Sequence, residues 1–462
     1  QIVNNAHRGE NRRATVAEVK SLIQLLKDNK TAPLSKKFKK EERTIESLVA
    51  EIANTYQKEF ATTRTAQTLD LTQELFEQYL NAFRASKNAY DMSYNNAVLK
   101  VQQGRHQAAA EEFERVIAMK PAGKHTDSAA EQTVLAYLKT LGVQNQEVKN
   151  EAEEELNKRD LDPKEKAFVE AVDRWLRIVD SKGAKPETAE NIPPARFAAA
   201  KILYDANQFD GAAKRFGRFY REHRQHALWE DAARHVLSSY NLNHDVDNLR
   251  RYANTFDKDR RLMMTPLGEL VTKTISEFNF QKCFKFEKKS KWSDAAKCFI
   301  DYQRADPAAE KAAAAVFNAG VNYFKAKMVE KAMRQQTRLY EEYNTHELAP
   351  KALYSIAKIY QETGVYEESA SHFERFVESY PNHKLAEGAL RYASIFRKTL
   401  RHWEEAITNL NTYLKRYPYP ERSPRVHLDI IRIHEKNKRF KGVLKAVGQH
   451  MKKYKKEPPG IR

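Results

Sequence analysis

The chain has 462 residues, 41% apolar and 31% charged, with 80 Lys and Arg against 62 Asp and Glu for a formal net charge of +18. That length is more than one compact core serves but suits an elongated array, and no apolar run approaches the roughly 18–20 residues of a membrane-spanning helix. Strand alternation persists nowhere and glycines number only 14, so the reading begins as an all-α chain.

Residues 1–42 form a basic lead-in whose one amphipathic helix, TVAEVKSLIQLLKD at 15–28, carries Val16, Val19, Ile23 and Leu26 on one stripe. It opens at Gln1 without a charged-then-apolar leader, which leaves open whether a targeting peptide preceded it. From residue 43 a period takes over. YEESASHFERFVESYP at 366–381 returns as WEEAITNLNTYLKRYP at 403–418, 37 residues later. With Pro381 as a ruler, steps of that length reach Pro307, Asn344, Pro418 and Lys455, and offset steps reach Arg84, Pro121, Arg224 and Arg261. Twelve residues before five of these positions stand Ala295, Ala332, Ser369, Ala406 and Val443, and fifteen before stand Trp292, Val329, Tyr366, Trp403 and Phe440. Twenty-four before comes a small residue in most units, such as Ala97, Ala200, Cys283, Gly320, Ala357 and Ser394.

Large residues three and four apart put one apolar face on each half of the unit. Each unit therefore reads as helix A, a turn and an antiparallel helix B stopped at the ruler. One hairpin cannot bury its apolar faces alone, so the units stack. In chain order this gives two units over 43–121, a divergent helical insertion and linker over 122–194, a seven-unit array over 195–455, and a tail at 456–462. The insertion holds acidic NEAEEELNKRDLDP (150–163), a helix at 164–180 and the Gly- and Pro-punctuated SKGAKPETAENIPP (181–194), read as a domain boundary or bend. A nine-residue excess lies around MTPLGELVT at 264–272.

The small residue of helix A, the aromatic at the turn, the alanine of helix B, the aromatic eight before the end and the terminal Pro together resemble the tetratricopeptide repeat (TPR), over roughly 350 residues. The resemblance implies an all-α, right-handed α-solenoid that binds partner proteins or peptides and is not an enzyme. The usual repeat is 34 residues. The three extra ones here, within PNHKLAEGAL (381–390), look most like TPR proteins of the Gram-negative cell envelope. That likeness implies a scaffold in a multi-protein assembly of the periplasm or envelope, with a cytoplasmic location as the alternative.

In that family helix A lines an inner groove. Counting back 30, 27, 23 and 20 from the ruler assigns to it Phe280, Phe284, Phe317, Val321, Phe324, Tyr354, Lys358, Arg391, Ile395 and Lys398, apolar at one end and basic at the other. The same count upstream gives Phe197, Lys201 and Tyr204. The Asn of the carboxylate-clamp TPR proteins would fall at Val98, Phe284, Val321, Lys358 and Ile395, so that clamp is absent.

Chemistry is sparse. No phosphate loop, nucleophile elbow or zinc spacing occurs, and nothing calls for a cofactor, metal or catalytic group. The nearest metal pattern, His223, His226, His235 and His244, reads as an inter-repeat loop. Carboxylate pairs fall in solvated helix faces such as EEFER at 111–115. The grid puts Cys283 inward and Cys298 outward, so the two are expected to stay unpaired with Cys298 the more reactive. Residues 421–462 hold 13 basic against 4 acidic side chains. That basic end is either a solvated cap or a contact for an anionic partner. A basic α-solenoid gripping nucleic acid or an anionic surface non-specifically is the alternative function, although base-reading repeats need one polar pair in every unit and the groove positions vary.

Overall fold

The computed structural model describes residues 12–28, 36–141, 157–183, 186, 188–418 and 421–454. It is 81% helical, and among the described residues there is no strand. The chain forms two compact units, residues 1–271 and 272–462. The division falls in the nine-residue excess around 264–272, while the 181–194 linker lies within the first unit.

In the first unit α1 (Arg12–Asp28) packs on α3 (Ala66–Phe83), which also pairs with α2 (Lys36–Thr63). Four hairpins follow: α4 (Ala89–Gln102) with α5 (His106–Met119), α6 (Thr126–Leu141) with α7 (Pro163–Lys182), α8 (Ile192–Asp205) with α9 (Phe209–Glu222), and α10 (Trp229–Leu242) with α11 (Val246–Asp257). A one-turn helix, α12 (Arg260–Met263), leads to α13 (Pro266–Lys288), which carries the chain into the second unit. There α13 pairs with α14 (Trp292–Ala305), α15 (Ala312–Lys325) with α16 (Val329–Glu342), α17 (Ala349–Glu362) with α18 (Tyr366–Ser379), α19 (Ala386–Thr399) with α20 (Trp403–Arg416), and α21 (Ser423–Lys436) with α22 (Phe440–Lys453).

The insertion over 122–194 thus contains another hairpin. Helix α6 packs on α5 just as later A helices pack on the preceding B helices, and Ala129, Ala130, Val134, Phe168, Val172 and Trp175 share one core with Phe113 and Val116. Asp162 caps α7 by accepting from the Lys164 and Glu165 amides, and Glu165 returns the bond to the Asp162 amide at 2.9 Å.

Two backbone devices set the 37-residue period. In eight of the nine units the turn from helix A to helix B puts one residue at positive φ seventeen before the ruler: Gly104, Asn207, His244, Ser290, Lys327, Gly364, Arg401 and Lys438; in the Arg84 unit it is Arg64, twenty before. Each of the eight is followed by an amide reaching five residues back, as Val365 to the Tyr360 carbonyl at 2.9 Å and Met328 to the Tyr323 carbonyl at 2.9 Å, which closes the helix as a Schellman turn. Only two of these eight are glycine. Lys327→Gly is therefore expected to raise stability by about 0.5–1 kcal/mol, relief of the left-handed conformation exceeding the added freedom of the unfolded chain. Gly364→Ala should lower it by a similar ~1 kcal/mol, since a Cβ there meets nothing within 4 Å and the cost is conformational alone. Urea midpoints measure both; equal midpoints for both variants and the parent would refute the strained-turn account.

The second device is the linker from helix B to the next helix A, two successive turns. His383 donates its amide to the Tyr380 carbonyl at 3.1 Å and Ala386 to that of His383 at 2.8 Å, and the same pair of bonds recurs at 223–229 and 343–349. A histidine serves three of these linkers: Nδ1 of His226, His346 and His383 accepts the amide two residues on, each at 3.1 Å. Those bonds hold the three residues that lengthen the repeat.

Candidate interaction surface

All ten predicted groove residues lie in the second unit, on helices α13, α15, α17 and α19. Their side chains divide sharply by what they touch. Phe280 is only 6% exposed. Its ring meets Phe299 and Tyr302 of α14 edge-on, both at 5.3 Å, with Lys311, just before α15, over it at 5.3 Å. Phe284 is half-buried and meets Phe299 at 5.2 Å. Tyr354 stands edge-on to Phe373 and Phe376 of α18, at 5.3 and 5.5 Å, and burial pushes its hydroxyl above the usual tyrosine range. Phe317 packs beside Leu339 and Tyr340, and Phe324 beside Tyr323 and Ile359. Phe280, Phe284, Phe317 and Tyr354 bind their own hairpins together, Phe324 reaches Ile359 of the next hairpin, and Phe280 belongs to the hairpin core rather than to any open surface.

The basic end is also engaged. Lys358 donates to Gln361 Oε1 at 3.0 Å and lies 5.0 Å over the Tyr392 ring of the next helix A. Lys398 reaches Asp429 of α21 at 2.9 Å. Arg391 is exposed and Ile395 keeps 45% of its surface open, while Val321 and Phe324 are half-open. What the second unit offers on its helix-A face is therefore Val321, Phe324, Arg391 and Ile395, with the two lysines already committed between hairpins. In the first unit Lys201, counted to the same face, is buried against Tyr204 and paired with Asp205.

Between hairpins of the second unit the contact is made by charge as well as by rings. Arg397 of α19, buried, holds both oxygens of Glu374 on α18 at 3.0 and 2.7 Å, Glu367 at 2.5 Å and Ser371 at 3.0 Å. Hydrogen bonds to Glu374 raise its guanidinium above even the usual arginine range. Glu374 also accepts from Asn409 of α20 at 2.6 Å, so one carboxylate ties three helices.

The structure corrects the reading of the cysteines: Cys283 and Cys298 form a disulfide across the α13–α14 hairpin, with their Cα atoms 5.4 Å apart. Helix A and helix B run antiparallel, and the place opposite the small residue is set by the Ser369 hydroxyl, which donates to the Ala357 carbonyl at 2.9 Å. Cys298 is three residues, one turn, beyond the matching Ala295. Cys283 is fully buried and Cys298 only partly, as the grid has it, and the place of Cys298 is buried at Glu112 and Gln335 but half-exposed at Arg215 and His372. Cys298 also lines an open cleft of about 690 Å³ beside Ile275, Phe286 and Tyr302. Labelling of Cys298 ahead of Cys283 is accordingly not the behaviour of this molecule until the bond is reduced.

The four histidines have structural positions. His235 is buried in α10 with Nδ1 2.8 Å from the Asp231 carbonyl, His226 holds a linker turn, and His244 is a positive-φ turn residue. Burial lowers both His235 and His223 below the usual histidine value. Among the described residues no three His, Cys, Asp or Glu side chains gather as a metal site, and no helix is long and apolar enough to cross a membrane.

A tetratricopeptide-repeat family profile matches residues 351–383 and 387–418, that is, the α17–α18 and α19–α20 hairpins. No curated protein sequence matches the chain. Among the solved structures that do, the TPR domain of P58(IPK) is 13% identical, covering 76% of this chain and 98% of its own, with a TM-score of 0.26.

Proposed function

We propose that the chain, in which a tetratricopeptide-repeat profile matches residues 351–383 and 387–418, is a non-catalytic scaffold that gathers partner proteins into an assembly outside the cytoplasm, in a Gram-negative envelope. The observation that carries the binding reading is the open part of the helix-A face of the second unit. Val321 and Phe324 on α15 and Ile395 on α19 leave apolar surface uncovered, and Arg391 is exposed one turn before Ile395. Exposed apolar surface marks a place where partners dock, and an amphipathic helix or extended segment suits a face built from parallel A helices. The basic end of the second unit is the place for an anionic partner. The Cys283–Cys298 disulfide supports the compartment, because such bonds persist in oxidising surroundings and are rare in the cytosol.

Photo-cross-linking in cells tests the reading. A photoreactive residue replacing Val321, Phe324 or Ile395 should capture discrete partner bands, whereas one at exposed Glu368 on helix B should not. Arg391→Glu should weaken capture and make it less salt-sensitive. Equal capture from helix A and helix B positions, or none from helix A, would refute the groove. Recovery of nucleic acid with the purified protein, lost above moderate salt, would favour the basic-solenoid alternative.

A further inference from the structure

The strongest unexplained feature is the outer face of α22. Phe440 and Leu444 are each 73% exposed and Met451 is 65% exposed. At 100° per residue they fall on one stripe with Val447, while Ala446 and His450 on another face are buried. Lys441, Lys445 and Lys452 run along one edge of that stripe, and α22 contains no acidic residue.

The places of these residues are covered by the next helix in the two B helices that precede α22 in the array. Two periods upstream they correspond to Tyr366, Ala370 and Val377 of α18. Tyr366 stacks on Phe396 of α19 at 5.0 Å, and Ala370 and Val377 are buried beneath the same helix. One period upstream Trp403, Ile407 and Leu414 pack with Ile430 and Ile433 of α21. The lysine edge has a counterpart too. Lys441 and Lys445 take the places of Glu367 and Ser371, which receive the incoming Arg397 at 2.5 and 3.0 Å. On α22 the sign of that socket is reversed, and no described acidic residue pairs with either lysine.

We infer that α22 is a docking site for an acidic amphipathic helix of a partner protein. That helix would lie across Phe440, Leu444 and Met451 as α19 lies across α18. It carries an apolar residue over Phe440 and, next to it, an Asp or Glu in the place of Arg397 that bonds Lys441 and Lys445. A second copy of this chain docking by the same face would bring two lysine rows together, so like charge excludes it. The inference deepens the scaffold reading by naming the chemistry of one partner, and rests on that reading.

The probe is a helix-stapled, fluorescein-labelled peptide of Ala386–Thr399 in which Arg397 is changed to Glu, with the unchanged peptide as control. Fluorescence anisotropy on the full chain should show the Glu peptide binding at least tenfold more tightly, with the advantage shrinking as salt rises. Leu444→Asp, exposed and thus compatible with folding as checked by circular dichroism, should abolish binding. Lys441→Glu with Lys445→Glu should reverse the preference toward the Arg peptide. Binding that ignores Leu444→Asp, or no preference between the peptides, overturns the proposal. So does sedimentation with vesicles of 30% phosphatidylserine but no peptide binding, which would make α22 a lipid-surface element. Cross-linking from position 395 reports separately on the helix-A face, so failure here leaves that reading standing, and the reverse.

Discussion

Truncating Phe373 to alanine should cost about 3–5 kcal/mol, the range for emptying a buried phenylalanine site. The ring is fully buried. It meets Tyr354 of its own hairpin at 5.3 Å, and Tyr392 and Phe396 of the following helix at 5.3 and 6.3 Å. Its loss therefore weakens both the α17–α18 hairpin and the junction with α19. In a stacked array each unit is stabilised by itself and its neighbours, so the damage should stay local. Hydrogen exchange should quicken across 349–416 while amides of α4 and α5 keep their protection. Phe373→Leu should recover much of the loss by refilling the volume. Uniform acceleration along the whole chain, or a change below ~1 kcal/mol in urea unfolding, would contradict this account.

The same locality explains which features could be read from sequence. The ruler residues mark the ends of helices because a Pro, or a residue in its place, stops helix B at the same distance from the alanine that faces helix A. Thus α15 to α20 keep identical 14-residue lengths. The α6–α7 hairpin escaped that reading, because its two helices are separated by a long connector that breaks the count although their packing is ordinary. The positive-φ turns were hidden for another reason: only Gly104 and Gly364 announce themselves, and Asn, His, Ser, Lys or Arg hold the other six. A histidine two residues past the ruler, as at His226, His346 and His383, was a legible signal for the linker turn.

The groove was only half legible. Spacing identifies which residues of helix A share a face, but a ring on that face can lean onto its own helix B or stay open. Tyr354 and Phe280 lean because Phe373 and Phe299 stand opposite them. Ile395 stays open, with Phe396 next to it taking the contact with Tyr366. The α22 stripe needed the comparison between units, since its meaning lies in the helix that α18 and α20 each have against the same places.

The cysteines show what a one-dimensional count leaves out. Inward and outward were assigned helix by helix, whereas a disulfide depends on the distance between two places on different helices. With the bond formed, the native protein should show no thiol reactive to a maleimide, and two after denaturation with reductant. The bond spans 15 residues, and constraining a loop of that length in the unfolded chain contributes about 3 kcal/mol. Cys298→Ala should therefore lower the stability of the α13–α14 hairpin by ~2–4 kcal/mol, with part of the effect falling on α15, which packs against α14. Reductant should lower the melting temperature of the parent protein and leave Cys298→Ala unmoved. If protein quenched with acid and alkylated directly from its native cells carries two free thiols, the bond does not form where the protein works. The extracytoplasmic reading then loses its chemical support, and the hairpin must hold by its rings alone: Phe280, Phe284 and Phe299, each within 5.5 Å of the other two.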